Sequence, residues 1–210
     1  MPSADGTPAL WLVRHGESTW NIAGLAQGHN DEAELTPRGL RQAAEAAERV
    51  RGRAVRAIYA SDLRRALQTA AAVGQVLSLP VLADARLRER SLGVLEGSPS
   101  AAISADVTGL DAGQVTDPDA RPHGGESVRD LYARAAGFCN ALAALVAHGH
   151  GANPRLANVD GDVVIVAHGG TVRVLEAYLN GVSVEEMAWG PVENARVVRI
   201  PDFRAQPLRT

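Results

Sequence analysis

Three apolar runs in this chain end in side chains that can do chemistry. "ALWLV" (9–13) is followed by Arg14-His15-Gly16, and "VRAIYA" (55–60) by Ser61-Asp62-Leu63-Arg64-Arg65. "DVVIVAH" (162–168) closes on His168, with Gly169-Gly170 next, and a fourth stretch, "PVLADARLRE", brings Glu89. Short continuous apolar runs read as buried strands, and open parallel sheets bind ligands beyond the carboxyl ends of their strands. Two histidines, two or three arginines and one carboxylate should therefore meet on one rim.

A phosphate ester suits that set. Guanidinium forks match phosphate oxygens and keep their charge at any working pH. Each charge-assisted hydrogen bond contributes about 1.5–3 kcal/mol. A histidine among arginines is pushed towards its neutral, nucleophilic form. Gly16 and Gly169 allow close backbone approach, and Gly169 opens a helix whose free N–H groups suit an anion. A carboxyl facing a bound dianion holds its proton more tightly, which suits Glu89 to protonate a leaving alkoxide.

The elements that must position these residues follow from periodicity. "TPRGLRQAAEAAERVR" (36–51) predicts a helix with Thr36 as N-cap and Pro37 at its first position; Leu40, Ala43, Ala44, Ala47 and Val50 share its apolar face. Ser61 or Asp62 should cap the helix "LRRALQTAAAVGQVLS". "PVLADARLRE" should lead into a third strand ending near Glu89. A long helix is expected over about 126–148, with Val128, Leu131, Ala135, Phe138, Leu142, Leu145 and Val146 inward. Another follows at roughly 170–180, and "ARVVRI" (195–200) reads as a late or edge strand. Strands alternating with helices give an α/β class: three layers, with a mostly parallel central sheet flanked by helices. Segments 104–125 and 149–161 are polar and turn-rich, without strong periodicity. We expect one domain over 1–210, with 91–127 as a small cap that sets specificity.

Composition limits the rest. Apolar residues make up 46% of the 210, enough for a sizeable core, and the net charge of −3 leaves no basic footprint for nucleic acid. All 21 basic residues are arginine, which reads as codon bias. Cys139 is the only cysteine, so no internal disulfide can form and a cytoplasmic setting is expected. "MPSADGTPAL" lacks the cationic start of a secretory signal, and no apolar run is long enough to span a membrane. A homodimer is compatible with the sequence but nothing in it requires one.

"LVRHGESTWN" resembles the signature of the histidine phosphatase superfamily, the phosphoglycerate-mutase-like fold. "SDLRRALQTA", "RLRERSLGVLEG", "HGGES" and "VIVAHGG" resemble its later motifs, in order, across residues 9 to 180. Arg-His-Gly alone is weak; five motifs in order are specific. The resemblance implies that His15 is the nucleophile that becomes phosphohistidine and Arg14 the adjacent phosphate-binding arginine. It matches Arg65, rather than Arg64, to the second arginine, Glu89 to the proton donor, and His168 to the second histidine, which holds the phosphoryl oxygens. Asn21, Gln27 and Gly28 match substrate-contacting positions. One departure stands out: Val94-Leu95 replaces the aromatic that often precedes Glu-Gly. In the implied mechanism His15 attacks phosphorus while Glu89 protonates the leaving oxygen, then activates water. Arg14, Arg65 and His168 hold the equatorial oxygens. No metal or cofactor is expected.

Blander roles are open to other residues. Glu89 lies in "RLRERS", which could be a solvated charge run. Asp62 could be a cap or a ligand, and Glu126 a first-turn helix acid or a substrate contact. His29, His123, His148 and His150 read as surface residues, though "PHGGES" could bring His123 to the pocket border. Trp11 reads as core, while Trp20 could line the entrance. A metal site on His15 and His168 is disfavoured by the clustered arginines. The leading expectation is a phosphatase for a small phosphorylated metabolite. The alternatives are a phosphoglycerate-mutase-type transfer and a non-catalytic phospholigand-binding protein. "PHGGES" resembles the glucosyl-3-phosphoglycerate phosphatases, which hints at phosphorylated sugars or glycerates.

Overall fold

Side chains alternate across a strand, and that alternation decides the layers here. In β1 (Leu10–Arg14), Leu10 and Leu12 join one buried cluster, Trp11 and Val13 another. β2 (Val55–Ala60) sends Tyr59 to the first and Ile58 and Ala60 to the second, and β6 (Asp162–Ala167) sends Ile165 to the first and Val164 and Val166 to the second. The first cluster is covered by α5 (Val128–His148) and α6 (Gly169–Leu179), through Leu131, Ala135, Phe138, Leu142, Val172 and Leu175. The second is covered by α2 (Pro37–Val50) and α3 (Arg64–Leu77), through Ala46, Ala47, Val50, Ala66, Ala70 and Val73. The result is the expected three-layer α/β arrangement. The computed structural model describes residues 7–148 and 161–203. Most of the 149–161 segment, the first six residues, the tail from 204, His150 and the His148 side chain lie outside that description.

The sheet runs β3-β2-β6-β1-β7, where β3 is Val81–Ala83 and β7 is Val197–Ile200. β1, β2, β3 and β6 are parallel; β7 runs antiparallel beside β1. Arg14 sits opposite Ala167, and Ala60 opposite Val166. His15, Ser61 and His168 therefore leave three neighbouring strands side by side.

Three expectations about local structure need correcting. The third strand does not end near Glu89: β3 stops at Ala83, and a 3₁₀ turn at Ala85–Leu87 carries the chain onward. The inward face of α2 is Gly39, Ala43, Ala46, Ala47 and Val50, while Leu40 is 51% exposed and Ala44 is exposed. The cause is Gly39, which packs backbone to backbone on the β1 turn; a Cβ there would lie 2.0 Å from the Glu17 carbonyl oxygen. Neither Ser61 nor Asp62 caps α3. The Leu63 N-cap makes no side-chain bond, and the Arg64 amide instead donates to Asp31, far back in the sequence. Asp62 pairs with Arg88. Segment 104–125, polar and turn-rich by sequence, holds α4 (Ala105–Thr108) and a hairpin of β4 (Leu110–Asp111) and β5 (Gln114–Val115). Among the described residues, no helix is long and apolar enough to cross a membrane.

Candidate active site

Beyond the carboxyl ends of β1 and β6 lies a cleft of about 420 Å³, lined by Arg14, His15, Asn21, Gln27, Gly28, Arg65, Glu89 and Gly170 among others. His15 and Glu89 thus face one hollow. His168 is fully buried behind it, its ring centroid 5.2 Å from that of His15.

The hydrogen bonds assign the tautomers. His15 Nδ1 sits 2.7 Å from the Gly16 carbonyl oxygen, which can only accept. Nδ1 therefore carries the proton, and the Nε2 lone pair is free. His168 Nε2 sits 2.8 Å from Ser61 Oγ, which also accepts from the Leu63 amide; among the described contacts Nε2 is the acceptor left for the serine O–H, and we assign the hydroxyl as donor to it. His168 Nδ1 then bears a hydrogen, and it is buried without a partner. Arg14 Nε and Arg65 Nε share that condition, and they complete the set of such side-chain atoms among the described residues. An unsatisfied buried donor costs about 1–3 kcal/mol. Three of them flanking one imidazole are explained by an anion that is bound during function.

Burial holds the His15 imidazole well below its ordinary range; Arg65 and then Arg14 push it lower, and only the Gly16 carbonyl opposes them. His168 is depressed in the same way, by burial first, then Arg65, His15 and Arg14. Both rings are therefore neutral at pH 7. Arg65 is itself lowered to about 10, mainly by burial, with Glu89, Asp31 and Glu96 opposing. It remains a cation at any working pH.

Each group is fixed by backbone. The Nη atoms of Arg65 donate to the carbonyls of Asn30 and Gly28, both at 2.8 Å. Gly28 has φ +47, and a Cβ would fall 2.2 Å from Glu96 Oε1. Arg14 donates to the Val192 carbonyl. Glu89 accepts from the Gly170 amide through Oε2 and from the Arg90 amide through Oε1, both at 2.9 Å. Asn21, in the short helix α1 (Thr19–Ile22), closes a capping box with Ser18, whose hydroxyl also lies 3.0 Å from Gln27 Oε1. Gly169 and Gly170 begin α6 beneath the cleft.

The cleft includes residues the sequence reading passed over. Arg173 and Trp189 line it, the guanidinium carbon 5.0 Å from the indole centroid. Arg173 stands one helical turn after Gly169, a spacing that could have flagged it. Asn194 donates to Asn21 Oδ1 and the His15 carbonyl. His29 is no surface histidine: its Nε2 donates to the Glu89 carbonyl at 2.8 Å. Arg90 is 2% exposed, so "RLRERS" is not a solvated run. It donates to the carbonyls of Glu126, Thr108 and Ala120. Glu126 neither lines the cleft nor lies in the first turn of α5, where Asp130 is the acid; it pairs with Arg134 and accepts from the Ser91 amide. Trp20, Val94 and Leu95 do not line the cleft, and His123 is exposed. Among the described residues, no group of three histidine, cysteine or acidic side chains is placed to hold a metal.

A parallel sheet that presents a neutral, cation-flanked histidine at its rim defines a class of phosphoryl-handling α/β proteins. Comparison with known proteins says which one. The chain belongs to the histidine phosphatase superfamily (branch 1), whose family model matches residues 10–206. It is 39% identical over 170 residues to the glucosyl-3-phosphoglycerate phosphatase of Mycobacterium tuberculosis, covering 81% of this chain and 74% of that one. It is also 39% identical over 140 residues to a probable phosphoglycerate mutase of Proteus mirabilis, covering 66% and 65%. The native structure of mycobacterial glucosyl-3-phosphoglycerate phosphatase superposes with a TM-score of 0.76 at 37% identity, covering 92% of this chain and 89% of that one.

Proposed function

We propose that this enzyme hydrolyses a small phosphate monoester through a phosphohistidine on His15. The carrying observation is the pairing of a free Nε2 lone pair on His15 with three buried, unpartnered donors: Arg14 Nε, Arg65 Nε and His168 Nδ1. In the first half-reaction Nε2 forms a bond to phosphorus as the ester P–O bond breaks. The electron pair leaves on the ester oxygen, and Glu89 supplies its proton. In the second half Glu89 takes a proton from water, whose oxygen bonds to phosphorus while the N–P bond breaks and its pair returns to Nε2. Arg14, Arg65 and His168 hold the equatorial oxygens throughout. Asn21, Gln27, Gly28 and the Gly169 amide complete the substrate contacts.

The leaving group then rests against the part of the chain we assign to specificity, residues 91–127. Leu92, Ser100, Ile103, Thr108 and Leu110 from that segment line the far side of the cleft. The names of the mycobacterial relatives support a phosphorylated sugar or glycerate as substrate, and the single buried thiol fits residence in the cytoplasm. The decisive experiment measures phosphate release across a panel of metabolite esters, with an alkaline quench to trap the acid-labile, base-stable phosphoenzyme. His15→Ala should abolish both turnover and the label. Undiminished hydrolysis by that variant would reject the mechanism.

The match to a probable phosphoglycerate mutase favours a second reading, transfer of the phosphoryl group to another hydroxyl. Such transfer requires water to be kept from the phosphohistidine. The described cap offers a four-residue helix, a two-stranded hairpin of two residues each and two 3₁₀ turns at Gly93–Leu95 and Ser100–Ala102. Incubation with 3-phosphoglycerate and a trace of 2,3-bisphosphoglycerate separates the readings: rapid isomerisation with little free phosphate would establish the mutase.

A further inference from the structure

Just before β7 the chain makes a strained turn. Ala195 has φ +58, in the left-handed region that a Cβ disfavours. Such an outlier persists where the surrounding structure holds it and is a pointer to function. Here the turn carries the chain across the nucleophile. The Arg14 amide donates to the Arg196 carbonyl at 3.0 Å, and the Ala195 amide to the His15 carbonyl at 3.1 Å. Asn194 is thereby brought against His15, and its Nδ2 reaches two oxygens: the His15 carbonyl at 3.3 Å and Asn21 Oδ1 at 3.1 Å. The reaction proposed above gives Asn194 no part.

Main-chain groups fix both carboxamides. A carbonyl can only accept, so the Asn194 atom facing the His15 oxygen is the amino nitrogen. The Ser18 amide can only donate, so the Asn21 atom it meets at 3.1 Å is Oδ1. The two lone pairs of Oδ1 are then taken, one by the Ser18 amide and one by Asn194. Ser18 Oγ is fully buried, accepts from the Asn21 amide at 3.2 Å and has one proton to give. Two oxygens lie 3.0 Å from it, Asn21 Oδ1 and Gln27 Oε1. With Oδ1 already filled, the proton goes to Gln27. Both carboxamide oxygens are thus turned onto Ser18, which leaves Asn21 Nδ2 and Gln27 Nε2 for the cleft that both residues line. We propose that Asn194 is a positioning residue for the phosphoryl group: it fills Asn21 Oδ1, which sends the Ser18 proton to Gln27 and keeps both amides as donors towards the anion. Without Asn194, Oδ1 competes for that proton. Gln27 then turns its amino group to Ser18 Oγ and its oxygen, which repels an anion, to the cleft. This rests on the phosphatase reading above and adds to it a residue outside the family motifs quoted from the sequence.

A double-mutant cycle tests the relay, read by calorimetric titration with inorganic phosphate, which reports binding apart from turnover. Gln27→Ala should weaken phosphate binding about 10- to 100-fold, as expected for one charge-assisted contact. Asn194→Ala should weaken it about tenfold, since the His15 carbonyl keeps its bond from the Ala195 amide in that variant. Placed in the Gln27→Ala protein, Asn194→Ala should cost less than about twofold, because the amide it steers is gone. A merely structural role for Asn194 would not depend on Gln27. Ser18→Ala interrupts the relay midway and should give the same pattern, so the test stands even if Asn194→Ala does not fold. Losses that multiply, for either variant with Gln27→Ala, overturn the relay. So does an Asn194→Ala protein that binds phosphate as tightly as the wild type. Coupled losses in a protein that hydrolyses no ester reject only the phosphatase reading, whereas multiplying losses in an active phosphatase reject only the relay.

Discussion

Gly170→Ala should separate the two halves of the proposed reaction. Gly170 is a helical residue in the first turn of α6, so alanine meets no backbone strain there and gains helix propensity of up to about 1 kcal/mol. Its methyl group, however, would lie 2.3 Å from Glu89 Oε1, where ordinary contact begins near 3.4 Å. The carboxylate must retreat by about 1 Å, away from the amide that now holds it at 2.9 Å. Misplacement by that amount can cost about 10²-fold, and the whole general-acid contribution is about 10²–10⁴-fold. For an alkyl phosphate, whose leaving oxygen needs a proton, kcat/KM should therefore fall about 100-fold. For p-nitrophenyl phosphate, whose leaving group departs without one, kcat/KM should fall less than about tenfold. Breakdown of the phosphohistidine still needs Glu89 to activate water, so the variant should release a burst of nitrophenolate and then stall as phosphoenzyme. Stopped-flow kinetics with both esters, and circular dichroism melts to confirm folding, make the test. Equal losses in kcat/KM for the two esters, or no burst, would refute the assignment of Glu89 as acid and base.

Other outcomes follow from the same contacts. His15 and His168 are buried and depressed, whereas both titrate near pH 6.5 in the unfolded chain. Below that pH the unfolded state binds more protons, so stability is full above about 6.5 and falls as pH drops, by up to about 2.7 kcal/mol per pH unit for the pair. Urea melts between pH 7 and 5 should show that slope, and a flat profile would contradict the neutral rings. Gly28→Ala forces a side chain into φ +47 and against Glu96, which should cost about 1–3 kcal/mol and raise KM as Arg65 loses its Gly28 anchor. His29→Ala removes the donor to the Glu89 carbonyl and should lower kcat/KM for alkyl esters about tenfold, more than for aryl esters, as read by comparing the two. Cys139 is buried with its thiol pushed up to about 12, so Ellman's reagent should label it only in denaturant.

The nucleophile end of the cleft was legible in the sequence because local structure creates it. Arg14 ends the strand β1, His15 and His168 follow directly on β1 and β6, and Gly16 and Gly169 keep the turn and the helix start free of Cβ atoms. Strand ends in a parallel sheet share one rim, so recognising the strands was enough. The long helix α5 was legible for the same reason. Val128, Leu131, Ala135, Phe138 and Leu142 are all buried as their spacing predicts. The α2 face was misread because its orientation is set by contact between Gly39 and the Glu17 backbone. No hydrophobic pattern records that contact.

The acid end was reached through a third strand that stops short of it, so only the resemblance gave Glu89 its place for a sound reason, and the cause is physical. Glu89 lies six residues past the end of β3, in a segment with no ladder to hold it. Side chains from distant elements hold it instead. Arg134 on α5 donates to the carbonyls of Arg86, Arg88 and Glu89, and Thr171 on α6 donates to that of Arg88. Arg65 grips the 28–30 loop in the same manner, and Arg90 the ends of the cap. A guanidinium spreads five donors over three nitrogens in a rigid fork, so one side chain can reach two or three separated loop carbonyls that the single nitrogen of a lysine could not span. The all-arginine composition, read first as codon bias, therefore has a structural use here. Three buried or half-buried arginines pin the segment that carries the acid, the 28–30 loop and the cap, and lysine at any of them would leave carbonyls unpaired beside the cleft.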